Sequence, residues 1–238
     1  MMVRAQSLAL ARAKTLDHRP EVAYVARFTT GEVSHEFKVT WSDIGRDTEW
    51  LRGRLGAWGI GQGKQVLLSA SGHEGAWFLP VINALKELGA TYAIAEAMAW
   101  DWQRSLVFRE DLELYAVLGL SGETLAAQVE HRSAREIYED VPVVLARPAA
   151  VAGLAAAGVG AGVLTPLGPA LAVQCPESPG AHVDAARWWV AERRGRVHLS
   201  SRSAGRAADV PETGLGIDAE VLTGRCGCGS TDPRVLLG

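Results

Sequence analysis

The chain reads as an α/β protein whose largely parallel sheet passes into a β-rich carboxy-terminal part stapled by a metal. Three observations predict this. Between about residues 42 and 125, helix-periodic and strand-like apolar segments alternate, the pattern of a sheet crossed by helices. After about residue 140 that rhythm gives way to short alternating runs and a hairpin signal. All three cysteines fall in the last third, where a histidine joins them.

In chain order, Ser42 and Asp43 are expected to cap a helix whose apolar stripe is Ile44, Leu51, Leu55 and Trp58, closed by Gly59. Residues 65–70 (QVLLSA) read as a buried strand, followed by the turn Ser71-Gly72-His73-Glu74-Gly75. Trp77, residues 79–82, Leu85 and Leu88 mark a second helix that stops at Gly89. Residues 91–95 are the next strand, 100–108 a helix and 113–118 a strand, and Ser121 opens one more helix. Residues 141–145 have strand composition, whereas 148–168 are dominated by Ala, Gly and Val with weak periodicity. Residues 188–192 and 196–201 alternate around Arg-Arg-Gly, a hairpin signal. The expected division is an α/β layer over residues 1–140 and a β-rich, metal-bearing segment over 141–238, packed as one body. Trp41, Trp50, Trp58, Trp77, Trp100 and Trp102 stand mostly at core-like spacing.

Cys175, His182, Cys226 and Cys228 spell C-x6-H, a gap of 43 residues, then C-G-C-G. Thiolate and imidazole donors fill a tetrahedral shell around zinc and leave no place for water, so such a site contributes folding energy and not chemistry. The C-x-C step is tighter than the usual spacing of zinc ligands. Three unrelated thiols, some buried as small apolar groups, are the plain alternative.

The remaining bulk properties exclude several classes. A net charge of −3 gives no basic footprint for nucleic acid. An odd cysteine count argues against a disulfide scaffold and for a reducing, cytoplasmic compartment. Arg4, Arg12 and Lys14 break any apolar run in residues 1–18, so no signal peptide is expected. The longest apolar tract, 141–171, is interrupted by Arg147, prolines and glycines, so no membrane span is expected. Arg187, Arg193, Arg194 and Arg196 form a local basic patch, and Asp101, Glu110, Asp111 and Glu113 an acidic one; solvated faces are the common explanation for both.

Residues 39–95 carry Asp43, Trp50 and Arg54, then G-I-G-Q-G-K-Q-V over 59–66, then L-G-A-T over 88–91. Farther on stand Gly168-Pro169, Cys175, Gly180-x-His182-Val183, Cys226-x-Cys228-Gly229 and Pro233-Arg234. Together these resemble the amino-terminal domain of acyl-adenylate-forming enzymes, most closely the phenylacetate–CoA ligase-like branch. The resemblance covers roughly residues 25–238 and implies that fold, with zinc on the same Cys/His set as in some members of the branch.

The resemblance also implies where ATP chemistry would lie, and there this sequence departs from it. Thr29, Thr30 and Gly31 stand where the glycine-rich phosphate loop ends, but Arg27-Phe28 replaces its leading residues and Glu32 adds a negative charge. A plain hairpin between 22–28 and 36–40 explains the same residues equally well. The family's magnesium-binding glutamate motif falls on residues 161–165, where only Gly162 remains. The ribose-gripping aspartate is replaced by Leu215 after Thr213-Gly214. The family's small carboxy-terminal lid domain is not expected in this chain. ATP and Mg²⁺ are therefore expected not to bind productively, and the reading is a truncated, degenerate ligase relative, a pseudoenzyme. It would bind an acyl or aryl small molecule or a partner protein, as a homodimer or in complex with an intact relative. Two alternatives keep catalysis: ligase chemistry completed by a partner subunit, or a reassigned enzyme using His73 and Glu74 as acid and base in the old acyl pocket.

Overall fold

The computed structural model describes residues 21–202 and 210–237. The amino-terminal segment in which no signal peptide is expected lies outside the described residues. The described chain opens on a hairpin, β1 (Val22–Thr30) and β2 (Val33–Thr40), paired from Val22↔Thr40 to Thr30↔Val33. Gly31, at φ +59°, and Glu32 form its two-residue loop, a turn that requires glycine at the first position. The hairpin stands as a separate two-stranded sheet.

Then come α1 (Trp41–Ala57), β3 (Gln65–Ser69), α2 (Gly75–Glu87), β4 (Thr91–Ala95), α3 (Trp102–Asp111), β5 (Leu114–Leu120), α4 (Gly122–Val129), α5 (Ala134–Tyr138), β6 (Val143–Ala146) and α6 (Pro148–Ala156). An all-β run follows: β7 (Gly162–Leu167), β8 (Ala170–Cys175), β9 (Ser178–His182), β10 (Trp188–Arg193), β11 (Arg196–Ser201), β12 (Thr213–Leu222) and β13 (Arg234–Leu237). The eleven strands β3 to β13 form one sheet in the order β10-β11-β12-β13-β9-β8-β7-β6-β5-β3-β4. Pairing is parallel from β4 through β3, β5 and β6 to β7, and antiparallel from β7 to β10. No helix among the described residues is long and apolar enough to cross a membrane.

The inner parallel strands β3, β5 and β6 are buried on both faces, which is why they read as continuous apolar runs. On one face Val66, Leu68 and Leu118 pack against Ile44, Leu51 and Leu55 of α1 and Phe78, Val81 and Leu85 of α2. On the other, Leu67, Val117 and Val144 meet Leu125 of α4, Ile137 and Tyr138 of α5, and Leu154 of α6. The expected α/β class and its helix–strand alternation hold. Three details differ. The cap of α1 is Thr40, whose Oγ1 accepts from the Asp43 N–H (3.1 Å), while the Asp43 carboxylate accepts from the Thr40 N–H (3.0 Å). Trp100 is 70% exposed instead of core. Asp101 is buried, its carboxylate accepting from the Glu96 N–H, so it is no part of a solvated acidic face.

The capping box of α1 is reciprocal and buried, so its loss should be felt. Thr40→Ala should cost about 1 kcal/mol, read as a lower urea midpoint at unchanged slope.

Candidate functional site

Two features converge on the antiparallel half of the sheet: a Cys/His cluster and a cleft. In the cluster, Cys175 ends β8, His182 ends β9, and Cys226 and Cys228 sit on the loop that leads into β13. That loop is closed by two backbone bonds, Cys226 N–H to the Ser230 carbonyl (2.8 Å) and Gly229 N–H to the Cys226 carbonyl (2.9 Å), which hold both flanking sulfurs inward. The structure brings all four predicted residues together: their ligand atoms lie within 4.8 Å of one another. Cys175 and Cys226 are buried, His182 is fully buried, and Cys228 is half-buried.

The donor set fits a metal. A tetrahedral ion with sulfur at about 2.3 Å and nitrogen at about 2.0 Å spaces its ligands about 3.8 Å sulfur-to-sulfur and about 3.5 Å sulfur-to-nitrogen. Cys175 Sγ and Cys226 Sγ are 3.6 Å apart, and Cys228 Sγ and His182 Nε2 3.5 Å. The other ring nitrogen, Nδ1, is buried with no hydrogen-bond partner among the described residues.

Around the four lies a second tier that sequence reading missed. From α1, Arg54 Nη1 donates to Cys228 Sγ (3.6 Å), and its Nη2 to Ser230 Oγ (2.9 Å) and Asp232 Oδ2 (3.0 Å). Trp50 Nε1 donates to the same Asp232 oxygen (2.9 Å), and the Ala185 N–H to the other (3.1 Å). Trp50 and Arg54 are four apart on a helix and so share a face. In the sequence they stand as family markers, and Trp50 as core; their spacing is the signal that joins them. Three thiolates, one imidazole and a divalent ion sum to −1, and the Arg54 guanidinium offsets that charge.

Burial, and then the nearby Arg54 charge, lower the His182 imidazole to about 4, so the ring is neutral and able to ligate at neutral pH. Burial pushes the Cys175 thiol up to about 11. Cys226 feels the same desolvation, yet hydrogen bonds with Ser178 and with Cys228 draw it down to about 7.

The cleft, of about 320 Å³, lies between the β1–β2 hairpin, the turn before α2, the β7–β8 turn and β12. Phe28, Thr29, Trp77, Leu215 and Ile217 line it, with Arg27 and His73. Trp77 Nε1 donates to the Gly168 carbonyl (3.1 Å), and Gly168, at φ +56°, has the Leu215 side chain where a Cβ would stand. The floor is therefore apolar and tightly packed. Of the predicted phosphate-loop residues, Thr29 reaches this cleft. Thr30 Oγ1 instead bonds His35 Nε2 (2.8 Å), and the Thr30 and Thr29 backbones are paired in the hairpin ladder. His73 and Glu74 both line the cleft, His73 exposed and Glu74 buried. The two Glu74 carboxylate oxygens accept from the two Arg147 Nη atoms (2.8 Å each), and one also accepts from the Ser71 N–H (2.8 Å). Arg147, from the start of α6, gives its Nε to the Gly119 carbonyl (3.2 Å). Sequence reading gave Arg147 no partner; no local signal links it to Glu74, 73 positions away.

Solved structures share this architecture. 2-Hydroxyisobutyryl-CoA ligase in the postadenylation state with R3-HIB-AMP matches at a TM-score of 0.67 and 13% identity, over 98% of this chain and 56% of that one. Its open conformation with 2-HIB-AMP and CoA matches at 0.65 and 12%, over 90% and 52%. The chain has the fold of the acyl-adenylate-forming enzymes. The Klebsiella oxytoca NpsA N-terminal subdomain, bound to 3-hydroxyanthranilyl-AMSN, matches at 0.54 and 16%, over 96% and 63%. This chain spans about half the length of the ligase it matches. No protein-family model and no curated protein matches its sequence. At these identities the likeness bears out the expected fold, which is the amino-terminal domain of that superfamily.

The titration behaviour of the cluster sets a pH dependence. With Cys175 at about 11 and Cys226 at about 7, metal uptake at pH 7 to 9 displaces at least one proton, and a second below about 7. Affinity therefore falls as pH falls, by at least about tenfold per pH unit above 7 and more steeply below. Competition with a chromogenic chelator at several pH values reads this directly. Asp232→Asn leaves the four ligands in place and should weaken metal retention about 10- to 100-fold.

Proposed function

We propose that this chain is a ligand-binding relative of the acyl-CoA ligases. It holds one structural zinc on Cys175, His182, Cys226 and Cys228, and takes a small acyl or aryl carboxylate in the cleft without adenylating it. One observation carries the second part. Among the described residues Glu74 is the one carboxylate lining the cleft, and both its oxygens are occupied by Arg147.

Adenylation needs a hard-oxygen ligand for Mg²⁺ and donors that hold several phosphate charges still. A carboxylate already bidentate to arginine is a poor metal ligand, because freeing it strips a part-buried guanidinium of two of its hydrogen bonds. Leu215 gives no acceptor for ribose hydroxyls, and its packing over Gly168 fills the floor with hydrocarbon. What the cleft does offer is aromatic and aliphatic wall (Phe28, Trp77, Leu215, Ile217) with Arg27 and His73 at its rim. That combination suits a flat or short apolar body ending in one negative charge. The relatives' ligands, a hydroxyisobutyryl and a hydroxyanthranilyl group, are of this size. The engagement of Glu74 also removes it as an acid–base partner for His73, which favours binding over a reassigned enzyme that uses the pair as acid and base.

Zinc is favoured over other metals by three soft thiolates and one imidazole in closed four-coordination. Elemental analysis should give near one zinc per chain. Calorimetry with a panel of aryl and short-chain carboxylates should show binding that Trp77→Ala weakens by about tenfold, while ATP·Mg²⁺ gives no heat. Carboxylate-dependent pyrophosphate exchange would overturn the proposal.

A further inference from the structure

We infer that Cys228 is a peroxide-reactive thiol and that Cys175 resolves it to a disulfide, so that the cluster can exchange its metal for a covalent cross-link. Three observations carry this. The sulfurs differ in access: Cys175 and Cys226 are 1% and 5% exposed, whereas Cys228 is half-buried between two exposed glycines, Gly227 and Gly229. The Arg54 guanidinium donates to the Cys228 sulfur at 3.6 Å, a fixed positive charge beside the thiol that solvent reaches. All the ligand atoms lie within 4.8 Å, so a second sulfur is at hand. An accessible cysteine beside a cation, with a resolving thiol nearby, is the arrangement that redox-responsive sites share.

The chemistry balances with a hydroperoxide as oxidant. The Cys228 sulfur attacks the nearer peroxide oxygen. The O–O bond breaks, Cys228 becomes a sulfenic acid, and the departing oxyanion leaves beside Arg54 and takes a proton. Cys175 then attacks the Cys228 sulfur, an S–S bond forms, and hydroxide leaves and is protonated to water. Two electrons pass from the two sulfurs to the peroxide. Only Cys226 and His182 remain as ligands, and the metal departs. Cys175 is the resolving thiol because it approaches from β8, a separate segment, whereas Cys226 would have to close a ring across Gly227 alone. The product ties β8 to the loop before β13 covalently, so the joint survives metal loss.

This inference rests on the metal reading for one readout only, and the test separates the two. Purified, metal-loaded protein is treated with hydrogen peroxide, quenched with an alkylating agent at intervals and mapped by mass spectrometry, with metal release followed by a chromogenic chelator. The expected result is a Cys175–Cys228 cross-link that accumulates at the rate of metal release. In Cys175→Ser, Cys228 should persist as a sulfenic acid trapped by a diketone probe. Arg54→Met should slow oxidation about tenfold, with Arg54→Lys restoring most of the rate. Protein that carries no metal as purified defeats the zinc reading but still reports the cross-link. A cross-link between any other pair, first oxidation at Cys175 or Cys226, or no cross-link under excess peroxide overturns the inference.

Discussion

Continuity of the sheet hangs on β13, a strand of four residues. It is the element that joins β12 to β9, through four residue pairs on one side and two on the other. Six cross-strand pairs contribute only a few kcal/mol at roughly 0.2–1 kcal/mol each. A structural metal of the thiolate–imidazole kind is worth roughly 10–16 kcal/mol in small domains. An ion held where Cys226 and Cys228 face Cys175 and His182 would therefore add more to the placing of β13 than its own pairing does. His182 is itself in register with Arg234, the first residue of β13. The cluster and the strand are one joint.

That joint reaches beyond the sheet. Arg54 and Trp50 on α1 hold Asp232 and Ser230, so the helix covering one face of the parallel layer is tied to the loop that feeds the antiparallel layer. On the far side of β13, β12 supplies Leu215 and Ile217 to the cleft wall. The path from cluster to cleft is short: loop, β13, β12. Loosening the first element leaves the wall held by its pairing with β11 and by the packing of Leu215 on Gly168.

How far this was legible follows from the chemistry of each part. The cluster was visible because thiols are scarce here and all three belong to it. The parallel layer was visible because strands buried on both faces are plainly apolar, and the β10–β11 hairpin because its turn residues are distinctive. The helix α6 was not, since Pro-Ala-Ala-Val-Ala-Gly-Leu-Ala-Ala has no polar face to set a period, though Pro148 at its first turn was a start signal. Strands β7 and β9 were hidden by Pro166, Pro179 and Gly180, which normally argue against strands. In β12, Leu215, Ile217, Ala219 and Val221 do alternate, but Thr213-Gly214 at its start also fits the remains of a ligand-binding motif. Long-range pairs such as Glu74–Arg147 leave no trace in a single sequence, because nothing local constrains either residue.

Around the cleft, packing and pairing engage the side chains at three positions. Leu215 is buried and packs on Gly168, a contact an aspartate could make only by burying a charge without a partner. Thr165, at the position the resemblance assigns to a magnesium ligand, is also buried and gives its hydroxyl to the Pro166 carbonyl. Glu74 is satisfied by an arginine that also braces the end of β5 through the Gly119 carbonyl. Leu215, Thr165 and Glu74 are thus each engaged in packing or pairing within the fold.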